Sequence, residues 1–180
     1  MSQWREQWPD ARAERSHYDT HENSPDDPGY RGFLARLARP LFDHLEAGAT
    51  GLDYGCGPGP TLAVMAAEAG YRMANYDPLF ARDEAVLQRQ YDFITCTEAA
   101  EHFHDPAAEF SRMAGLLKPG GWLGLMTELH DEVEDFSGWW YHRDPTHVVF
   151  YSTMTLRWLA ARHGWEIVSR EGAVTLLRQQ

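Results

Sequence analysis

Residues 51–60 read GLDYGCGPGP, and the fold turns on how they are understood. Gly55, Gly57 and Gly59 alternate directly after an apolar run that carries Asp53. Glycine has no Cβ, so such a loop turns tightly and lets a ligand come close to the N-terminus of the helix that follows. A strand, a bare loop and a helix are predicted here, in the arrangement of a nucleotide-type site.

On either side of this loop, short apolar runs alternate with helical patterns. Strands are expected at 50–54, 71–76, 92–97, 122–127, 166–169 and 174–177, with helices between most of them. That order gives parallel strands joined by crossover helices. A helix at 105–117 takes Asp105 as N-cap and Pro106 at its first position, buries Phe110, Met113, Ala114 and Leu117, and is stopped by KPGG at 118–121. Ser152 and Gly164 bound another. Upstream, SPDDPG at 24–29 reads as a loop. Phe33, Leu34, Leu37, Leu41, Phe42 and Leu45 then recur at helical spacing, with Pro40 on the polar face beside Arg36 and Asp43. The last two strands lie too close together around Glu171 and Gly172 for a crossover helix, so they are expected to be antiparallel. Between Asp77 and Asp92 the chain is too short for a helix, a strand and a second helix, and a strand or helix is expected to be missing there.

Composition narrows the function. The 180 residues, 43% of them apolar, suffice for one core. No apolar run approaches the ~20 residues of a membrane span, and MSQWREQWPDARAERSHYDT has no apolar signal core, so a soluble, cytoplasmic protein is expected. Cys56 and Cys96 fall at strand ends and read as buried thiols. With 16 basic against 27 acidic residues, the net charge of −11 disfavours nucleic acid and anionic lipid as partners.

The glycine pattern is G-x-G-x-G, and Pro60 stands where a dinucleotide loop needs its third glycine. Asp53 would repel a pyrophosphate but attract a cationic amine. Asp77, at the end of the second strand in NYDP, can accept both hydroxyls of a ribose. With LDYGCGPG, NYDP, YDFITCTEAAEHFHDP and LLKPGGWLGLMT in this order, the sequence resembles the class I S-adenosylmethionine-dependent methyltransferases over residues 48 to 127. The resemblance implies an α/β, Rossmann-like, mostly parallel sheet with flanking helices and a C-terminal antiparallel strand, the third strand being short or missing. Residues 1–47 are then a helical arm on a domain of residues 48–180. It further implies S-adenosylmethionine as cofactor, held by Asp53, Gly55, Cys56, Gly57, Gly59, Asp77, Pro78, Thr97, Glu98 and His102. The short 78–91 segment offers no clear counterpart of the family's adenine-contacting residue.

FSGWWYHRDPTHVVFYS at 136–152 gathers aromatic and titratable side chains after the fifth family strand, the composition of a small-molecule pocket. His147 and His142 have intrinsic pKa values suited to taking a proton from an acceptor. The same residues also fit an aromatic plug with hydrogen-bonded core histidines. His102 and His104 read as two surface histidines, without a third ligand for a metal. Tyr18, His21 and Asn23 could fold over the cofactor, or belong to an exposed arm. The functional expectation is methyl transfer to a small-molecule acceptor. The alternatives are a non-catalytic binding module, suggested by the shortened sheet, and a nicotinamide oxidoreductase, which Pro60 and Asp53 oppose.

Overall fold

Apolar runs that carry hydrophobic side chains on both faces become the middle of a sheet covered by helices on both sides. The computed structural model describes Trp8 and residues 23–180, and shows this arrangement. Strands β1 (Thr50–Tyr54), β2 (Arg72–Tyr76), β3 (Tyr91–Thr97), β4 (Leu117–Met126), β5 (Trp165–Glu171) and β6 (Val174–Gln179) form one six-stranded sheet in the order β2-β1-β3-β4-β6-β5. The first four are mutually parallel, while β6 runs antiparallel to both β4 and β5. Helices α1 (Pro28–Phe42), α2 (Thr61–Glu68), α3 (Pro106–Leu116) and α4 (Thr153–His163) flank it.

The two faces separate cleanly along each strand. Phe93, Met126 and Leu176 point to the α1 side, where Leu37 and Leu41 cover them. Ile94, Leu125 and Leu177 point the other way, onto Phe110 and Met113 of α3 and Leu156 and Leu159 of α4. Between α1 and α2, Leu34, Ala38 and Leu62 close a third cluster.

Several sequence expectations need correction. Helix α1 starts at Pro28, inside the stretch 24–29 expected to be a loop: Asp27 caps it by accepting from Gly29 N, and Pro28 takes the first turn. The segment read wholly as a loop thus contains a helix start. Leu45 lies past the helix end at Phe42, and Pro40 sits inside its last turn. KPGG does not stop α3: the helix ends at Leu116, and 118–121 lie inside β4, because Leu117 is already extended and pairs with Tyr91 ahead of a register shift. The expected missing strand is confirmed: between β2 and β3 lie only an isolated Asp77–Ala81 bridge and a 3-10 turn, Val86–Gln88. Among the described residues no helix is long and apolar enough to cross a membrane.

Candidate active site

The carboxyl ends of β1, β2 and β3 open onto a cavity of about 600 Å³, a size typical of small-molecule sites. One wall is the loop after β1. Gly55 and Gly57 have φ of +84° and +62°, the left-handed region that a side chain disfavours. A Cβ on Gly55 would lie 2.4 Å from the Cβ of Ala99, so its bare face admits the chain after β3. The Gly57 N–H donates to Asp77 Oδ2 at 3.0 Å, and the N–H groups of Leu79 and Phe80 donate to Oδ1 at 2.8 and 3.1 Å. Asp77, which lines the cavity, is thereby held by backbone N–H groups on both of its oxygens. Pro78, Leu79 and Phe80 continue the wall in place of the absent strand.

Gly55, Gly57, Asp77, Pro78, Glu98 and His102 line the cavity, whereas Asp53, Cys56, Gly59 and Thr97 do not. Asp53 lies beneath the loop, 4% exposed, and accepts from Thr95 Oγ1 at 2.8 Å. Burial pushes its pKa up to about 7, against the lowering effect of Thr95. A Cβ on Gly59 would meet Asn23 O at 2.1 Å, and Thr61 Oγ1 donates to the same carbonyl, so this glycine admits the N-terminal segment rather than a ligand. Asn23 therefore packs on the glycine loop, while Tyr18 and His21 lie outside the described residues. Cys56 and Cys96 are buried free thiols, as expected.

The opposite wall follows β3. Glu98 has φ +47°, an uncommon conformation for a residue with a side chain and one often found at functional sites. Its N–H donates to Met126 O at 2.8 Å. Burial, and then the Glu101 carboxylate, raise the Glu98 pKa. Glu101, on the 3-10 turn Ala100–His102, is wholly buried; its Oε2 accepts from Thr127 Oγ1 at 3.0 Å. His102 is not a surface histidine, since its side chain is 12% exposed and its Nδ1 is 2.9 Å from Thr146 O. His104 does face outward, with its ring 4.6 Å from that of Trp8.

The aromatic segment does not wall this cavity. Trp139, Tyr141 and Phe150 bury one another with Phe136 in a satellite core, as the plug reading has it, and Trp140 is left outside at 63% exposure. His142 packs against Phe136, its Nδ1 2.9 Å from Trp139 O. His147 is 5% exposed, and its Nδ1 is 2.7 Å from Tyr141 O. Neither lines the cavity, but the His147 ring stands edge-on to that of His102 at 4.7 Å. Sequence reasoning missed Tyr30, Phe80, Glu109 and Arg112. The last three line the cavity. Burial, followed by the charges of Asp53, Cys56 and Glu98, pushes Tyr30 up to about 12.

A glycine loop after β1, an acid after β2 and a sheet that ends in an antiparallel hairpin together define the class I, Rossmann-like methyltransferase fold. Solved structures agree. The Burkholderia thailandensis 1,6-didemethyltoxoflavin-N1-methyltransferase, with 1,6-didemethyltoxoflavin and S-adenosylhomocysteine bound, superposes at TM-score 0.64 with 16% identity, over 92% of this chain and 87% of its own. Magnesium protoporphyrin IX methyltransferase from Synechocystis PCC 6803, with bound S-adenosylmethionine, gives TM-score 0.55 with 16% identity, over 84% of this chain and 80% of that one. Residues 28–170 match the family described as "Methyltransferase domain", and the chain belongs to it. Among curated relatives, the ubiquinone biosynthesis O-methyltransferase of Serratia proteamaculans (strain 568) is 36% identical over 81 residues, 45% of this chain and 34% of that protein. The match therefore spans about a third of that relative's length.

Proposed function

We propose that this chain transfers a methyl group from S-adenosylmethionine to a hydroxyl oxygen of a small, partly apolar molecule. The observation that carries the reading is the Asp77 carboxylate, clamped to Gly57 N across the mouth of a cavity of about 600 Å³. The residues present fit the cofactor. Gly57 leaves room over the loop, Asp77 offers carboxylate oxygens to a ribose diol, and Leu79 and Phe80 give a base an apolar wall. Asp53, below the loop, favours a cationic amino group above it. When bound, the cofactor supplies a methyl group on a sulfonium, which passes to the acceptor oxygen while the electron pair of the broken carbon–sulfur bond stays on sulfur.

The protein's own tasks are alignment, exclusion of water and removal of the hydroxyl proton. Glu98 is placed for that removal, because it lines the cavity and in its ionised form can accept the proton. This role passes to it from His147 and His142, which do not reach the cavity wall. Support for an oxygen acceptor comes from the O-methyltransferases of ubiquinone biosynthesis. The test is incubation with S-adenosylmethionine and a panel of hydroxylated aromatic and aliphatic small molecules, with S-adenosylhomocysteine release followed by mass spectrometry. Acceptor-dependent release is expected, and it should fall ~10²–10⁴-fold in Glu98→Gln. Cofactor binding without turnover on any acceptor would favour the non-catalytic module, to which the missing strand also points.

A further inference from the structure

Behind the cavity wall, Glu101, His102 and His147 each bring one potential metal-ligand atom to within 4.8 Å of the others. Glu101 Oε1 is buried and accepts no hydrogen bond among the described residues, although Oε2 is engaged by Thr127. A buried carboxylate oxygen left this way is costly unless something positive meets it. The nearby His102 Nε2, at 3.8 Å, is beyond hydrogen-bonding distance.

The two imidazoles share a second feature. His102 Nδ1 faces Thr146 O and His147 Nδ1 faces Tyr141 O, at 2.9 and 2.7 Å. A carbonyl oxygen can only accept, so each Nδ1 carries a proton, and in the neutral ring the lone pair is then on Nε2. A backbone carbonyl that holds one ring N–H in this way is the usual support of a metal-bound histidine. The ligands come from two segments that are already joined, because the N–H groups of Val148 and Val149 both donate to Glu101 O, at 2.9 and 3.1 Å. Their convergence is thus part of the fold.

We propose that Glu101, His102 and His147 bind one divalent transition-metal ion, of the zinc, cobalt or manganese class, with its open coordination positions toward the cavity that His102 lines. Two imidazoles and one carboxylate suit these ions better than magnesium or calcium, which favour all-oxygen sites. With metal–ligand bonds of about 2.1 Å the ligand atoms would stand about 3.0–3.4 Å apart, so small side-chain movements close the site. The open positions take an oxygen donor of the acceptor; this last part rests on the methyltransferase reading, the metal site itself does not.

The full chain, stripped with a chelator and dialysed, is titrated with Co²⁺ alone and followed by its visible absorption and by calorimetry. One ion per chain is expected, bound at least tenfold more weakly by Glu101→Gln and by His147→Gln, and Zn²⁺ should raise the melting temperature of the wild type only. S-adenosylhomocysteine is titrated into the same samples. If the wild type binds S-adenosylhomocysteine but neither Co²⁺ nor Zn²⁺ saturably, or if both folded variants keep wild-type metal affinity, Glu101 and the histidines are an ordinary buried cluster and the metal site is overturned. The wild-type titration decides this even where a variant fails to fold. Stoichiometric Co²⁺ binding without S-adenosylhomocysteine binding would uphold the metal site while removing its acceptor role.

Discussion

Asp53 lies beneath the glycine loop and Asp77 lines the cavity beside it, and their surroundings give the two carboxylates different tasks. Asp77 accepts three backbone N–H groups at the cavity rim. Asp77→Ala is expected to weaken S-adenosylhomocysteine binding by about 1.5–3 kcal/mol with the fold kept by circular dichroism; unchanged affinity would remove it from the ribose site. Gly57→Val, which places a branched side chain at φ +62° on the cavity wall, should nearly abolish binding, as calorimetry would show. Asp53 is destabilising when charged. Its pKa rises from 3.8 to about 7 on folding, so the stability it contributes is present below pH 3.8 and is lost as pH climbs through about 7. Asp53→Asn should therefore flatten the pH dependence of the melting temperature between these values and stabilise the free protein at pH 8 by about 1–4 kcal/mol, while weakening S-adenosylhomocysteine binding. A variant less stable than wild type at pH 8 would show that the carboxylate is not strained by burial. Gly55, Gly57, Asp77, Glu98 and His102, which line the cavity, were legible because they stand in short motifs, whereas Gly59 of the same motif serves the N-terminal segment. Glu109 and Arg112 were not legible, since α3 brings them to the cavity only through tertiary packing, and Phe80, three residues after Asp77, stands in no motif. His147 was recognised as titratable, but its meeting with Glu101 and His102 depends on a loop path that no periodicity reveals.

At the level of elements, strands were the readable part. β1 matches the expected 50–54, and the close spacing around Glu171 and Gly172 gave the β5–β6 hairpin. Boundaries failed where two signals competed. Asp27 and Pro28 are helix-start residues hidden in a run rich in turn formers, and Pro119 to Gly121 obscured a strand that had already begun at Leu117. The 136–152 segment has the composition of a pocket, but rings that can stack on one another satisfy themselves first. One element-scale constraint went unseen: Gly51 pairs with Phe93 in the sheet, and a Cβ there would lie 2.2 Å from the Phe93 ring. Gly51→Ala should therefore displace that ring from the α1 side of the core and cost about 1–3 kcal/mol in urea denaturation. An unchanged midpoint would mean that the ring yields freely.

Taken whole, the molecule is acidic, with a net charge of −11, and Asp77, Glu98, Asp105 and Glu109 line one cavity. Such a field suits a cationic cofactor and a neutral or cationic acceptor and opposes a polyanion. No salt-sensitive association with tRNA is expected at ~0.1 M salt, and tight binding that weakens steeply with salt in a gel-shift series would overturn the small-molecule assignment. The fold of a methyltransferase is present with one strand fewer, and Pro78 to Phe80 wall the gap. Whether the cavity serves this cofactor is decided most directly by calorimetric titration of the full chain with S-adenosylhomocysteine and, separately, with NAD. One molecule of S-adenosylhomocysteine per chain, bound more weakly by Asp77→Ala, and no heat from NAD are expected; a folded protein that ignores S-adenosylhomocysteine, or binds NAD in its place, would contradict the assignment.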